Sequence, residues 1–160
     1  MDKIELRLTY TVFDTIDELD EEGQQLITAA KEFAQNAYAP YSNFNVGAAL
    51  LLENGKIVHG SNQENAAYPS GLCAERVAFF SASANYPNVR IRRVAVVARR
   101  NHESDFLEAS PCGSCRQVMM EYEEKQSHPV EIILMGNKGK VLVMPSIETL
   151  LPFKFTARSL

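Results

Sequence analysis

A chain of 160 residues, 46% of them hydrophobic and 22% charged, can bury about two-thirds of its unfolded surface in one core and has no room for a second. Its formal charge of -4 and pI near 5.4 set a repulsive mean field against a phosphate backbone, which argues against nucleic acid as a partner. The opening residues Met1-Asp2-Lys3-Ile4-Glu5 lack the apolar core of a signal peptide, and no apolar run approaches the length of a bilayer, so a cytoplasmic protein without a membrane partner is expected.

In chain order, Ile4, Leu6, Leu8, Tyr10 and Val12 alternate with polar residues. The run from about Asp17 to Tyr38 places Leu19, Leu26, Ile27, Ala30, Phe33, Ala34 and Ala37 at helical spacing, with acidic residues in the first turn and Pro40 as the stop. FNVGAALLLENGKIVHG reads as two strands joined by a two-residue turn at Asn54-Gly55. Helix spacing returns from Cys73 to about Ala84, and Ile91 to Arg99 has the β-branched density of a strand. After a polar loop, Ser110-Pro111 suits an N-cap and first-turn proline for a helix running to about Glu124. Val130 to Met135 and Lys140 to Met144 read as short strands, and Ser146 as the cap of a brief last helix. No repeat or linker interrupts the order, so residues 1–160 are expected to form one α/β domain, a mixed sheet covered by helices.

Three cysteines is an odd number, better suited to metal binding or chemistry than to disulfides. Cys112 and Cys115 stand at i and i+3 in a first helical turn, which puts both sulfurs on one face. Alone, that pair is weak evidence, open to a structural zinc knuckle or a thioredoxin-like redox pair opening a helix. Cys73, opening another helix in CAERVAFF, adds a third thiolate, and three leave a tetrahedral zinc one vacant position for water. Glu75, two residues on, is placed to move protons without being a ligand. Three thiolates and Zn²⁺ sum to about -1, so the site needs compensation from helix N-termini and from arginine. Arg76 is expected to donate to ligand sulfur; Arg116 fits either that role or a solvated one.

CAER followed by PCGSCRQ resembles the C-x-E and P-C-x-x-C signature of the cytidine deaminases, in their all-cysteine, small-subunit form. YAPYSNFNVGAAL, SNQENAAY and LLPFKF extend the likeness to residues 24–155. The resemblance implies a three-layer fold with a mixed five-stranded sheet, one zinc per subunit and a homotetramer with shared active sites. It implies hydrolytic deamination of cytidine and deoxycytidine, in pyrimidine salvage. It also implies that Asn62 and Glu64 bind the ribose, that Phe44 lies against the nucleoside, and that the backbone at Ala74 reads the pyrimidine edge. Tyr68 and Phe155 would reach a neighbouring subunit's site, with Phe153 a competitor for the second role. Read without the family, Asn62 and Glu64 are a solvated polar edge, Phe44 is core, and Arg90, Arg92, Arg93, Arg99 and Arg100 line a solvated or inter-subunit face. Residues 1–16 have no counterpart in the likeness and suit an added edge strand or a cover for one. Rival readings are a deaminase of another aminated substrate such as blasticidin S, a thiol-disulfide oxidoreductase, which the third cysteine and the lack of Trp oppose, and a zinc-stabilised binding module, which the intact Glu75 opposes.

Overall fold

The computed structural model describes all 160 residues. One sheet organises them, with strands β1 (Thr11–Phe13), β2 (Phe44–Leu52), β3 (Ile57–Ser61), β4 (Ile91–Arg100), β5 (Phe106–Leu107), β6 (Glu131–Met135) and β7 (Val141–Met144). The helices are α1 (Glu21–Ala34), α2 (Ala74–Asn85) and α3 (Gly113–Gln126). Strand order is β1-β7-β6-β4-β2-β3, antiparallel throughout except for the parallel β4–β6 pair, whose crossover carries α3. The sheet has seven strands, not the expected five. The additions are β1, which pairs with β7 at the edge as residues 1–16 suggested, and β5, two residues pairing with Ala98 and Arg99 inside the loop read as polar.

The central strands are buried on both faces, and their alternation sorts the core into two layers. Ala48, Leu50, Leu52, Val94, Val96, Ile132 and Leu134 pack under α2 and α3 against Phe79, Met119 and Met120. Ala49, Leu51, Ala95, Val97, Ile133 and Met135 face α1 and its Leu26, Ile27, Ala30 and Ala34. Helix, sheet and helix pair thus form three layers. No helix is long and apolar enough to cross a membrane.

Three local readings need correction. Helix α1 is capped by Asp20, whose carboxylate accepts the Gly23 N–H at 2.9 Å, but it ends at Ala34, well before Pro40. Asn36 N–H and Ala37 N–H drop to carbonyls three residues back, and the Tyr38 N–H is taken by the Asn62 carbonyl, so the chain leaves the helix to pair with residues 62–64. The β2–β3 connection is a three-residue loop: Leu52 N–H bonds the Lys56 carbonyl, Gly55 N–H bonds Leu52, and only Gly55 takes a positive φ, of 80°. That is a type I turn closed by a left-handed glycine, because Asn54 does not take the positive φ that a two-residue turn demands. The α3 cap is Cys112 itself, leaving Ser110 and Pro111 outside the helix.

Two glycines set how closely helices sit on the sheet. A Cβ on Gly47 would lie 2.0 Å from the Ala30 carbonyl oxygen of α1, and one on Gly60 2.4 Å from the Ala74 carbonyl oxygen of α2. Both clashes are with helix backbone, which cannot rotate away. Gly60→Ala should therefore lower unfolding stability by about 2–3 kcal/mol in denaturant titrations, by forcing α2 off β3. Gly55→Ala, in open space, should cost only about 1 kcal/mol through its φ.

Candidate metal centre and adjoining cleft

Helices α2 and α3 both begin on a cysteine. Cys73 and Cys112 are their N-caps, with extended backbone at φ/ψ of -72°/155° and -66°/165°. Cys112 Sγ accepts the N–H of Cys115 at 3.4 Å, standing where a serine or aspartate oxygen usually caps a helix. Two helix N-termini therefore converge on three sulfurs that lie within 4.8 Å of one another, with Cys73 and Cys112 Sγ 4.0 Å apart. Tetrahedral ligation with zinc–sulfur bonds of about 2.3 Å sets sulfurs about 3.8 Å apart, so the trio fits a zinc ion with one position to spare. Cys115 is buried, Cys73 half-buried and Cys112 exposed, which opens the cluster on one side.

The charges are arranged as a thiolate site requires. Hydrogen bonding from Cys115 outweighs burial and, with Arg76 and Cys112, brings the Cys73 thiol down to about 5. Cys115 is pushed up by its hydrogen bond to Cys73 and by burial. The Arg76 guanidinium donates to Cys73 Sγ at 3.9 Å and to the Gly71 carbonyl at 3.2 Å, matching the expected contact with sulfur. Arg116 takes neither role foreseen for it: Nε donates to the Pro111 carbonyl at 2.8 Å and Nη1 to the Leu150 carbonyl at 3.2 Å. It holds the turn that carries Cys112. Glu75 is 4% exposed, and burial, reinforced by the negative charge of Cys73, raises its carboxyl. A proton carrier beside a metal needs such a shift toward neutrality.

Cys73 and Arg76 also form one wall of a cleft of ≈ 500 Å³ shared with Tyr41, Ser42, Asn62, Glu64 and Tyr68. Asn62 is buried, its amide spanning β2: Oδ1 accepts from Val46 N–H and Nδ2 donates to the Phe44 carbonyl, both at 2.8 Å. Glu64 accepts the N–H groups of Tyr41 at 2.9 Å and Ser42 at 3.3 Å, and the hydrogen bonds from Ser42 and Tyr41 hold its carboxyl below the usual carboxylate range. Tyr68, 77% exposed, meets Tyr41 edge to face at 6.0 Å. Ala74 is fully buried under Gly60. Phe44 is half-buried on β2 and does not line this cleft. Phe155 lies on the C-terminal segment, whose course Gln117 of α3 fixes by donating to the Phe155 carbonyl at 2.8 Å; Phe153 is 91% exposed.

Sequence reasoning missed Tyr41, Ser42 and Gly60. The glycine had a signal, since a glycine inside a strand pattern marks close backbone approach. Three of the arginines of β4 and its approach are in ion pairs: Arg90 with Glu53, Arg92 with Glu22 at 2.9 Å, and Arg93 with Asp20 and Glu131, both at 2.7 Å. Arg99 instead lies over the Phe106 ring and donates to the Glu103 carbonyl at 3.4 Å. His59, which lies outside every motif, stacks on Phe33 at 4.0 Å and is half-buried.

Comparison with known proteins agrees with this architecture. The family model of the cytidine and deoxycytidylate deaminase zinc-binding region matches residues 20–128. A cytidine deaminase of Sporosarcina psychrophila is 41% identical over 138 residues, 86% of this chain and 93% of the relative. The crystal structure of cytidine deaminase from Burkholderia pseudomallei superposes with a TM-score of 0.69 at 45% identity, covering 82% of this chain and 97% of that one. A blasticidin-S deaminase of Bacillus cereus is more distant, at 29% identity over 86% of this chain and 95% of its own. The chain belongs to the cytidine and deoxycytidylate deaminase family, whose zinc-binding region it carries.

Because Arg76 supports the thiolate, Arg76→Gln in metal-free protein should move the pH midpoint of Cys73 alkylation upward, toward that of an ordinary thiol. Peptide mapping across a pH series should show slower modification of Cys73 at pH 6 than in the parent, the shift being partial because Cys115 still donates.

Proposed function

We propose that the chain, as a single domain, catalyses hydrolytic deamination of cytidine and deoxycytidine to uridine and deoxyuridine with release of ammonia. The observation that carries this reading is a buried carboxyl, Glu75, set beside three clustered thiols that adjoin a polar cleft. Cys73, Cys112 and Cys115 would hold zinc, which when bound would supply Lewis acidity toward water. Glu75 takes a proton from the attacking water as its oxygen adds to C4 of the cytosine ring, and delivers that proton to N3. It then carries the proton of the new C4 hydroxyl to the exocyclic amine; the C4–N bond breaks, ammonia leaves, and the C4 carbonyl of uridine forms. A carboxyl raised by burial suits both directions of transfer. Arg76 and the two helix N-termini offset the thiolate charge.

In the cleft, Asn62 and Glu64 face the sugar. Each retains hydrogen-bonding capacity beyond its contacts with β2 and the Tyr41–Ser42 turn, so each can serve a hydroxyl while staying fixed. The buried Ala74 leaves its backbone to read the base, and Phe44 lies behind the nucleoside. Tyr68 and Phe155, large and exposed, are suited to completing a site across a subunit boundary in a homotetramer. The setting is cytoplasmic pyrimidine salvage.

The test is zinc content together with the ultraviolet change on mixing the protein with cytidine. Wild type should hold about one zinc per chain and turn over, chelation should abolish turnover and zinc restore it. Glu75→Gln should keep the zinc and lose about 10²–10⁴-fold in kcat. Turnover of blasticidin S but not cytidine would redirect the substrate assignment. Full activity in Glu75→Gln would end the proton-carrier role.

A further inference from the structure

The arm formed by residues 1–10 lies outside the matched family region, which begins at residue 20, and relatives are covered over 93% and 97% of their lengths by 86% and 82% of this chain. It precedes β1, the last strand on its side of the sheet, and runs beside residues 145–152. Ile4, Leu6, Leu8, Tyr10 and Val12 are all exposed, at 94%, 56%, 50%, 54% and 49%. On the opposite face of the alternation, Glu5 and Arg7 pair with each other at 3.1 Å, as i and i+2 do in extended chain. An alternating apolar edge left open is a template for another strand.

We infer that the arm pairs antiparallel with the arm of a second copy of this chain, about a twofold axis at Leu6. In a twofold antiparallel pair, facing residue numbers sum to a constant, and only even sums put apolar residues opposite apolar ones. Centring on Leu6 sets Ile4 against Leu8 and places Glu5 of each copy opposite Arg7 of the other, joining two ion pairs into a ring of alternating charge. Centring on Glu5 or Arg7 opposes like charges. Centring on Ile4 opposes Lys3 and Glu5 but sets Asp2 against Leu6 and Met1 against Arg7, and centring on Leu8 brings no opposite charges together. The Leu6 register is the one that joins the two Glu5–Arg7 pairs while matching Ile4 with Leu8; its Asp2 faces Tyr10, whose hydroxyl can donate to a carboxylate. The occupant is therefore a second copy, chosen by the arm's complementarity to itself, and the inference stands apart from the deaminase reading.

Single cysteines in the full-length zinc-loaded protein test the register. Under mild oxidation, Leu6→Cys faces itself across the axis and should give at least about tenfold more covalent dimer on non-reducing gels than Leu8→Cys or the parent. Equal crosslinking at both positions, a preference for Leu8→Cys, or none at either overturns the proposal. Charge exchange gives a second reading by sedimentation: Glu5→Arg alone should weaken association through the arm, and adding Arg7→Glu should restore it. Both side chains are exposed, so folding is spared. Failure of the double variant to recover also overturns it.

Discussion

Everything at the proposed site depends on two helices starting at the same point in space. Cys73 and Cys112 are 39 residues apart, yet each stands at an N-cap with nearly the same backbone conformation, and the positive ends of both helices meet over their sulfurs. That meeting is a packing result. Helix α2 is held against β3 by Gly60, α3 packs on the same sheet face through Met119 and Met120, and the parallel β4–β6 pair sets the crossover between them. A methyl group at residue 60 would displace one helix relative to the other, and with it the only arrangement in which three thiols share a centre.

Polar groups secure the turns that packing leaves free. Arg116 ties the Pro111 carbonyl to that of Leu150, and Gln117 ties α3 to the carbonyl of Phe155, so the C-terminal segment is fastened to the helix that carries two of the cysteines. Two turns along α3 from Arg116 and on the same face, the buried Glu123 carboxyl accepts from Val130 N–H, Ser146 Oγ and Ile147 N–H, at 2.7, 2.6 and 3.0 Å. Three donors satisfy its oxygens within the fold, as a buried polar group requires. Arg76 supplies the cluster's one direct positive contact.

Much of this was legible in the sequence because it rests on short-range patterns. Cysteine spacing, the acidic residue two after Cys73, and the arginine one turn from it are read off a helix with simple periodicity. Errors fell where long-range pairing decided the outcome. The end of α1 is set by residues 62–64, far away in sequence, and β5 exists only because β4 offers an edge beyond β6. The Asn54-Gly55 loop was legible as a turn but not as to type, since three- and two-residue loops share that dipeptide. Arg116 was undecidable because its partners, Pro111 and Leu150, are backbone carbonyls, which carry no side-chain signature.

The split of the cysteine set between one local pair and one distant residue gives the cluster an order of assembly. Cys112 and Cys115 need only a single helical turn to come together, so a metal ion can be captured there while the rest of the chain is still open. Bringing Cys73 to them closes a long loop, and that loop contains β4, the strand between β6 and β2 in the sheet. The three sulfurs thus meet only in a chain that has built its core, and a metal ion that needed all three would favour the folded chain over the open one.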